Sequence, residues 1–481
     1  MTNTRKCSNK SRQGCLSCKQ RRKKCDEGKP SCKSCNCLGL KCSYVNKLYW
    51  HKSKQSCGAH YIIKSNPSNY TIQTTFDDVR LCLFSNIHNN SSLLRSRAEN
   101  SLGVIDEIPQ IILSHDQAIE SQLFTYYIDV LSKKKVFEDC QLNEFRSIII
   151  PCSISLSSLF QSVMAIAASD LIRQSPQNCS LYLSLTNKYK NEAINMMYNL
   201  LDDPSEENMN EILISILLLC SLEIGECGNN NWITYLKQSC LIFQRLDDRT
   251  ILFSKSLMFC YRYFILRYIL LLTTFDNTEF TDFVTNFPMR MISDFFTIKS
   301  VDYMLGCSPY LLRIIYDVTV LRNKNESEIA SSEVLSLYNR IISLVRREEV
   351  TKLDFFENLY INSLNLYFEN IFKTVLAHLN VKIDVNGLHQ DLLQKYRKVL
   401  HAKDLTLLPG WTLLISSIGD IDDYGRIQVL ESFYAAEIRW PRSSGSAIRD
   451  AVEAIWKFSD LNKTINWRKV LSIRGYKLPL T

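Results

Sequence analysis

Six cysteines near the N-terminus, Cys15, Cys18, Cys25, Cys32, Cys35 and Cys42, fall in two equal halves, each with gaps of two and then six residues, and six residues separate the halves. This repeat constrains the fold before any apolar core can. Zinc takes four ligands in a closed tetrahedron, and a two-residue gap lets both thiolates of one turn reach the same ion without strain. Two separate tetrahedra need about eight ligand positions, so six thiolates close two sites only if two of them bridge. The alternative is one zinc with two spare thiols, and spacing alone leaves both open. The insert Lys19-Gln20-Arg21-Arg22-Lys23-Lys24 adds a second constraint. A plain structural zinc knuckle has no need of such a cation run, whereas beside a metal-stiffened turn it suits phosphates and guanine edges.

The segments Gly14-Cys15-Leu16-Ser17-Cys18, Lys24-Cys25-Asp26-Glu27-Gly28-Lys29-Pro30-Ser31-Cys32, Cys35 and Leu38-Gly39-Leu40-Lys41-Cys42 closely resemble the fungal six-cysteine binuclear zinc cluster. Every ligand spacing of that family is in place, as is its Lys-Pro dipeptide, here Lys29-Pro30. The resemblance implies two zinc ions that share Cys15 and Cys32. Cys18 and Cys25 then complete the first site, and Cys35 and Cys42 the second. It also implies double-stranded DNA as partner, a CGG-type triplet as half-site, and a nuclear regulator of transcription by RNA polymerase II. Two features depart from the family pattern. Arg22 stands where the family most often has Lys, and Cys37 is an extra thiol in the second half. Arginine can pair bidentately with guanine O6 and N7, so binding is still expected, with room for a shift in the preferred bases.

Within the basic run Arg22 is the expected reader of base edges, with Arg21 second, while Lys19, Lys23 and Lys24 are expected on phosphates. Leu38-Gly39-Leu40 occupies the place of the cations in the second half, which marks it as the packing half. Cys37 is expected to stay a free thiol, because a one-residue gap to Cys35 is poor geometry for a shared tetrahedron. Cys7 and Cys57 fall outside the ligand set.

Charge divides along the chain. Residues 1–56 hold fifteen Lys and Arg against Asp26 and Glu27, a net of +13, while the remaining 425 residues carry net −5. Only the N-terminal segment has a polyanion-binding density. Nine of the eighteen cysteines lie in the first 57 residues, and the others are scattered through apolar segments, as at Cys220, Cys240 and Cys260. Buried reduced thiols are expected there rather than disulfides. Met1 to Arg12 is polar and basic, so no secretory leader is expected. The apolar stretches Ile212 to Leu222 and Phe264 to Leu272 are shorter than the roughly 20 residues a bilayer span needs, and no membrane contact is expected.

Three regions follow: a zinc module over 1–45, a partly disordered linker over 46–115, and an all-α regulatory domain over 116–481. The linker contains the polar run Ser85 to Ser92 and lacks a sustained heptad seam. Any homodimer or heteromeric contact is therefore expected from the helical domain. That domain shows helical spacing throughout, for example at Leu123, Tyr127, Val130 and Leu131, at Leu213, Ile216, Leu217 and Cys220, and at Val334, Leu337, Ile341, Ile342 and Val345. With only 14 Gly and 11 Pro in the chain, a dozen or more helices joined by short loops are expected, with breaks at Pro204, Pro288, Pro309, Pro409 and Pro441. Its segments Leu48-Tyr49-Trp50, Leu217 to Leu246 around Trp232, Asp302-Tyr303-Met304-Leu305-Gly306 before Pro309, and the run with Trp456 and Trp467 resemble the second type of fungal-specific regulatory domain. That domain is found in yeast regulators of γ-aminobutyrate, lysine and arginine metabolism.

Asp302 and Gly306 read as a capping carboxylate and a glycine turn at a helix boundary, in preference to the lining of a pocket for a small-molecule effector. Trp232, Trp411, Trp456 and Trp467 read as core anchors. No catalytic residues are assigned. The chain has no phosphate-binding glycine loop, no paired histidines for catalytic zinc and no serine nucleophile elbow, so it is not expected to be an enzyme. A rival reading is an interaction scaffold whose zinc module binds protein or RNA. The chain ends on the basic stretch Trp467 to Lys477 rather than an acidic tail, which leaves activator and repressor equally open.

Overall fold

A computed structural model describes residues 18, 23, 25–26, 31–38 and 115–480, apart from residues 204, 227–229, 325–327, 345–346, 402–406, 408, 420, 440–443 and 462–465. The chain divides into two compact units, Met1–Tyr70 and Thr71–Thr481. The first has a buried centre of cysteines, Cys18, Cys25, Cys32 and Cys35, and among the described residues includes the short helix Lys33–Asn36. The second is all helical, with eighteen α-helices and no strand among the described residues.

Helix starts in the second unit follow from short polar side chains that accept the otherwise orphaned N–H groups of the first turn. Ser205 accepts from the Asn208 N–H at 3.2 Å, Ser254 from Leu257 at 3.3 Å and Asp276 from Glu279 at 2.9 Å. Thr351 and Asp354 form a reciprocal capping box, each accepting from the other's N–H at 3.1 Å. Pro309 opens the Pro309–Arg322 helix, where a missing N–H costs nothing. Pro288 follows the end of the Asn277–Asn286 helix, and Pro409 precedes Gly410–Ser416. Pro204 and Pro441 lie outside the described residues.

Successive helices pack on one another, so the layers are built mainly from neighbours in sequence. Ser157–Gln174 packs on Cys179–Leu200 and on Glu206–Gly225, which in turn packs on Trp232–Phe243 and Lys255–Thr274. Lys255–Thr274 meets Pro309–Arg322, and Lys352–His378 gathers Ser331–Ile342, Val385–His401 and Gly410–Ser416. Leu213, Ile216, Leu217 and Cys220 are all fully buried, as their spacing predicts. Val334, Leu337 and Ile341 are buried too, but Ile342 is 57% exposed. It is the last residue of its helix, and one residue beyond Ile341 turns it about 100° off the buried stripe. Val345 is outside the described residues. Val130 is only half-buried because Tyr127–Leu131 is a π-helical turn, which carries Leu131 back onto the Leu123 and Tyr127 face.

The two apolar stretches belong to helices of 20 residues, Glu206–Gly225 and Lys255–Thr274, longer than the apolar runs themselves. By length and composition both could cross a membrane, yet 78% and 83% of their apolar windows are buried against the rest of the protein. They form the centre of the helical core. Cys220, Cys240 and Cys260 are fully buried and make no disulfide. The four tryptophans act as anchors, each buried with its indole N–H donating to a distant group. Trp232 reaches the Lys477 carbonyl at 3.3 Å, Trp411 the Thr273 hydroxyl at 3.1 Å, Trp456 the Ser417 carbonyl at 2.9 Å and Trp467 the Asn370 side chain at 3.2 Å.

The Asp302 to Gly306 segment corrects the expectation in part. Asp302 caps its own turn, accepting from the Met304 and Leu305 N–H groups at 2.8 and 3.1 Å, and does not cap the following helix. Ser308 caps that helix, accepting from the Leu311 N–H at 3.3 Å. Gly306 is a glycine turn with φ of 71°, and a Cβ there would lie 2.8 Å from the Phe137 ring. The other carboxylate oxygen of Asp302 binds Arg262, which also binds Glu144. Position 302 is thus a junction between helices remote in sequence.

Candidate metal centre and nucleic-acid interface

Four of the six motif cysteines lie within the described residues, and all four are buried, none more than 3% exposed. The thiol sulfurs of Cys18, Cys25 and Cys32 all lie within 4.8 Å of one another. Cys18 Sγ stands 3.7 Å from Cys32 Sγ and 4.0 Å from Cys35 Sγ. Two thiolates on one tetrahedral zinc, each about 2.3 Å from the ion, sit about 3.8 Å apart. The spacing of these sulfurs and the all-thiolate donor set therefore fit zinc. Bound there, zinc supplies the thiolate bonds that hold the module folded in place of an apolar core.

Local backbone structure fixes these positions. Cys32 precedes the Lys33–Asn36 helix in extended conformation, and its sulfur accepts the Cys35 N–H at 3.3 Å. Asp26 accepts the Lys33 N–H at 3.0 Å, which ties the end of the first half to the start of the second. The sequence reading missed this role, although a carboxylate directly after Cys25 in a basic module is the available signal. The Lys23 N–H returns to the Cys18 carbonyl at 3.0 Å.

Lys23 is exposed beside this cluster. Cys15, Cys42, Lys19, Arg21, Arg22 and Lys24 lie outside the described residues, as does Leu48-Tyr49-Trp50. Cys37 is exposed, unlike the four buried motif cysteines. Leu38, expected in a packing half, is 56% exposed instead, because it follows the helix end on a turn outside the cysteine core. Exchanging Cys37 for serine is expected to leave the zinc content of the purified chain unchanged by elemental analysis. Loss of one ion would place Cys37 among the ligands.

Residues 13–51 match the fungal Zn(2)-Cys(6) binuclear cluster domain, and residues 122–481 match the fungal specific transcription factor domain. The chain belongs to the fungal-specific transcription factors. This factor is 43% identical over 76 residues to transcriptional regulatory protein pro1 of Neurospora crassa, a match covering 14% of this chain and 11% of that protein. It is 34% identical over 103 residues to sterol uptake control protein 2 of Saccharomyces cerevisiae, covering 19% and 11% of the two chains. The protein of the same name from Candida albicans is 50% identical over 46 residues, covering 10% and 6%. The chain thus spans about a tenth or less of the length of these relatives. No solved structure matches it. The chain thus joins a zinc-cluster module to a large helical domain of the fungal-specific transcription factor type.

Proposed function

We propose that the protein is a nuclear, sequence-specific regulator of transcription by RNA polymerase II that reads CGG-type triplets through a cluster of two zinc ions. The observation that carries this reading is the buried group Cys18, Cys25 and Cys32, with five cations inserted between its first two members. In this reading Cys15 and Cys32 bridge the ions, Cys18 and Cys25 complete one site, and Cys35 and Cys42 complete the other. Arg22, with Arg21, meets base edges in the major groove, and Lys19, Lys23 and Lys24 meet phosphates. One triplet is too short to define a genomic site, so a second copy or a partner protein supplies the rest, through the helical domain. Its role is regulatory rather than enzymatic.

Division of labour within the basic run gives the test. Removing a bidentate arginine costs about 1–3 kcal/mol of discrimination at one base position, whereas removing a phosphate lysine weakens all sequences alike and lowers the salt slope by about one unit. Arg22→Ala is therefore expected to flatten specificity, and Lys23→Ala to shift affinity while leaving the consensus alone. Binding selections on random duplexes at two salt concentrations measure both. Full selectivity in Arg22→Ala would move the base reader elsewhere along the run. Absence of any enriched triplet with the unaltered chain would favour the interaction scaffold.

A further inference from the structure

The helical unit contains a cleft of about 1280 Å³ between the Lys352–His378 helix, the end of Pro309–Arg322, Gly445–Leu461 and the start of Trp467–Arg474. The Lys352–His378 helix kinks at Phe372, one of the residues lining the cleft. Six cationic side chains border it, Arg322, Lys324, Lys373, Arg426, Arg468 and Lys469, against two carboxylates, Asp276 and Asp460. Both carboxylates are already engaged. Arg426 holds Asp460 with two bonds at 2.8 and 3.0 Å, and Asp276 accepts the Glu279 N–H at 2.9 Å.

Arg322 and Arg468 are the unusual members. Arg468 is only 5% exposed and forms no ion pair among the described residues, while Arg322 feels the Asp276 charge and donates to the Tyr367 hydroxyl at 3.4 Å. Both converge on one oxygen, the Thr273 carbonyl, which accepts from Arg322 Nη1 at 3.0 Å and Arg468 Nε at 3.1 Å. Arg322 Nη2 reaches the Phe275 carbonyl at 3.0 Å. Arg468 Nη2 and Arg322 Nε find no acceptor among the described residues. The Arg468 guanidinium stacks on the Trp467 ring at 4.3 Å, which orients its fork but offers no counter-charge.

Capping of a helix end does not account for two arginines. The carboxyl end of the Lys255–Thr274 helix presents about half a negative charge, which one guanidinium already cancels. With Asp276 acting on Arg322, the imbalance falls on Arg468, a charge buried without an ion-pair partner among the described residues, which is strongly unfavourable. Burial, and then the neighbouring Arg322, push the Arg468 guanidinium down to about 9, and burial lowers Arg322 as well. Planar guanidinium forks are the side chains that hold carboxylate and phosphate groups bidentately, and these two keep buried donors without an acceptor.

We propose that this cleft binds a compact organic anion with two or more negative charges, a dicarboxylate or a phosphorylated small molecule, held by Arg468 and Arg322. Lys373 and Lys469, exposed at its mouth, face the second charge. The site belongs to the helical unit, and binding there is measured without DNA.

The test titrates the full-length protein with sodium phosphate and with sodium glutarate, exchanged for sodium chloride at constant ionic strength. Trp456 and Trp467 line the cleft, so tryptophan emission reports binding directly, alongside calorimetry and the thermal midpoint. A saturable emission change and a raised midpoint are expected with at least one of the two anions, and the stronger response identifies the ligand class. Arg468→Met is expected to weaken that anion at least tenfold, with Arg468→Lys intermediate and Lys188→Met, away from the cleft, unchanged. Arg322→Met serves in its place should Arg468→Met fail to fold. No saturable response beyond the chloride control with either anion, or unaltered affinity in the arginine variants, would overturn the site.

Discussion

Serine at position 32 is expected to strip the chain of both zinc ions and to collapse specific DNA binding to the non-specific level, a loss of roughly 1,000-fold or more. Cys32 is fully buried, and its sulfur is the one that meets Cys18 at 3.7 Å while accepting the Cys35 N–H from the second half. In the proposed ligand set this sulfur is shared by both ions. A serine oxygen is a hard, short and poor ligand for zinc beside thiolates, so both tetrahedra lose a corner. Zinc binding in a module of this size is folding free energy, about 10–16 kcal/mol in comparable thiolate sites, so the module unfolds with the metal. Cys35→Ser, which in the proposed ligand set opens only the second tetrahedron, is expected to retain one zinc. Elemental analysis and fluorescence anisotropy on a specific duplex measure the two effects. One zinc retained in Cys32→Ser would remove Cys32 from the bridging position and reassign the ligand set.

The cysteine repeat was readable because covalent chemistry constrains spacing: four thiolates reach one ion only at certain separations, whatever surrounds them. The helical class was readable for a similar reason, since Leu213, Ile216, Leu217 and Cys220 mark one face of a helix from sequence spacing alone, and all four are buried. What sequence could not give is what a polar side chain meets across the core. Asp302 looks like a helix cap by its neighbours, but its second oxygen is taken by Arg262, 40 residues away. Arg468 sits in a basic terminal stretch that reads as a solvated end, yet it is buried against a carbonyl 195 residues earlier in the chain. Trp456 and Trp467 were legible as anchors and not as cleft lining, because a cleft is a property of several helices at once. Ile342 shows the limit from the other side, an apolar residue in a good periodic run that the helix end leaves exposed.

Arg262→Met is expected to destabilise the helical unit by about 3–5 kcal/mol, a large fraction of the stability of an ordinary domain. Arg262 projects from the central Lys255–Thr274 helix and binds Asp302 at 2.6 Å through Nη1 and Glu144 through Nη2. The three side chains are only 12–19% exposed. Burial works to lower the Arg262 pKa, but Asp302 and Glu144 outweigh it and hold the guanidinium charged. Tyr303 completes the junction, its single O–H shared between the Leu142 carbonyl at 2.7 Å and Glu144. Glu144 precedes Arg262 by 118 residues, so this junction closes a large loop of chain onto the core. Methionine fills much of the arginine volume but leaves two carboxylates in a low-dielectric setting without a counter-charge. The loss therefore exceeds that of an exposed pair. Lys457→Met, which breaks a pair with Glu453 in which the lysine is 71% exposed, is expected to cost no more than about 0.5 kcal/mol. Urea unfolding followed by circular dichroism compares the two, and Glu144→Gln together with Asp302→Asn in the Arg262→Met background is expected to restore part of the loss. A change below about 1 kcal/mol in Arg262→Met would mean that water reaches the carboxylates and that the junction is held by Tyr303 and packing instead.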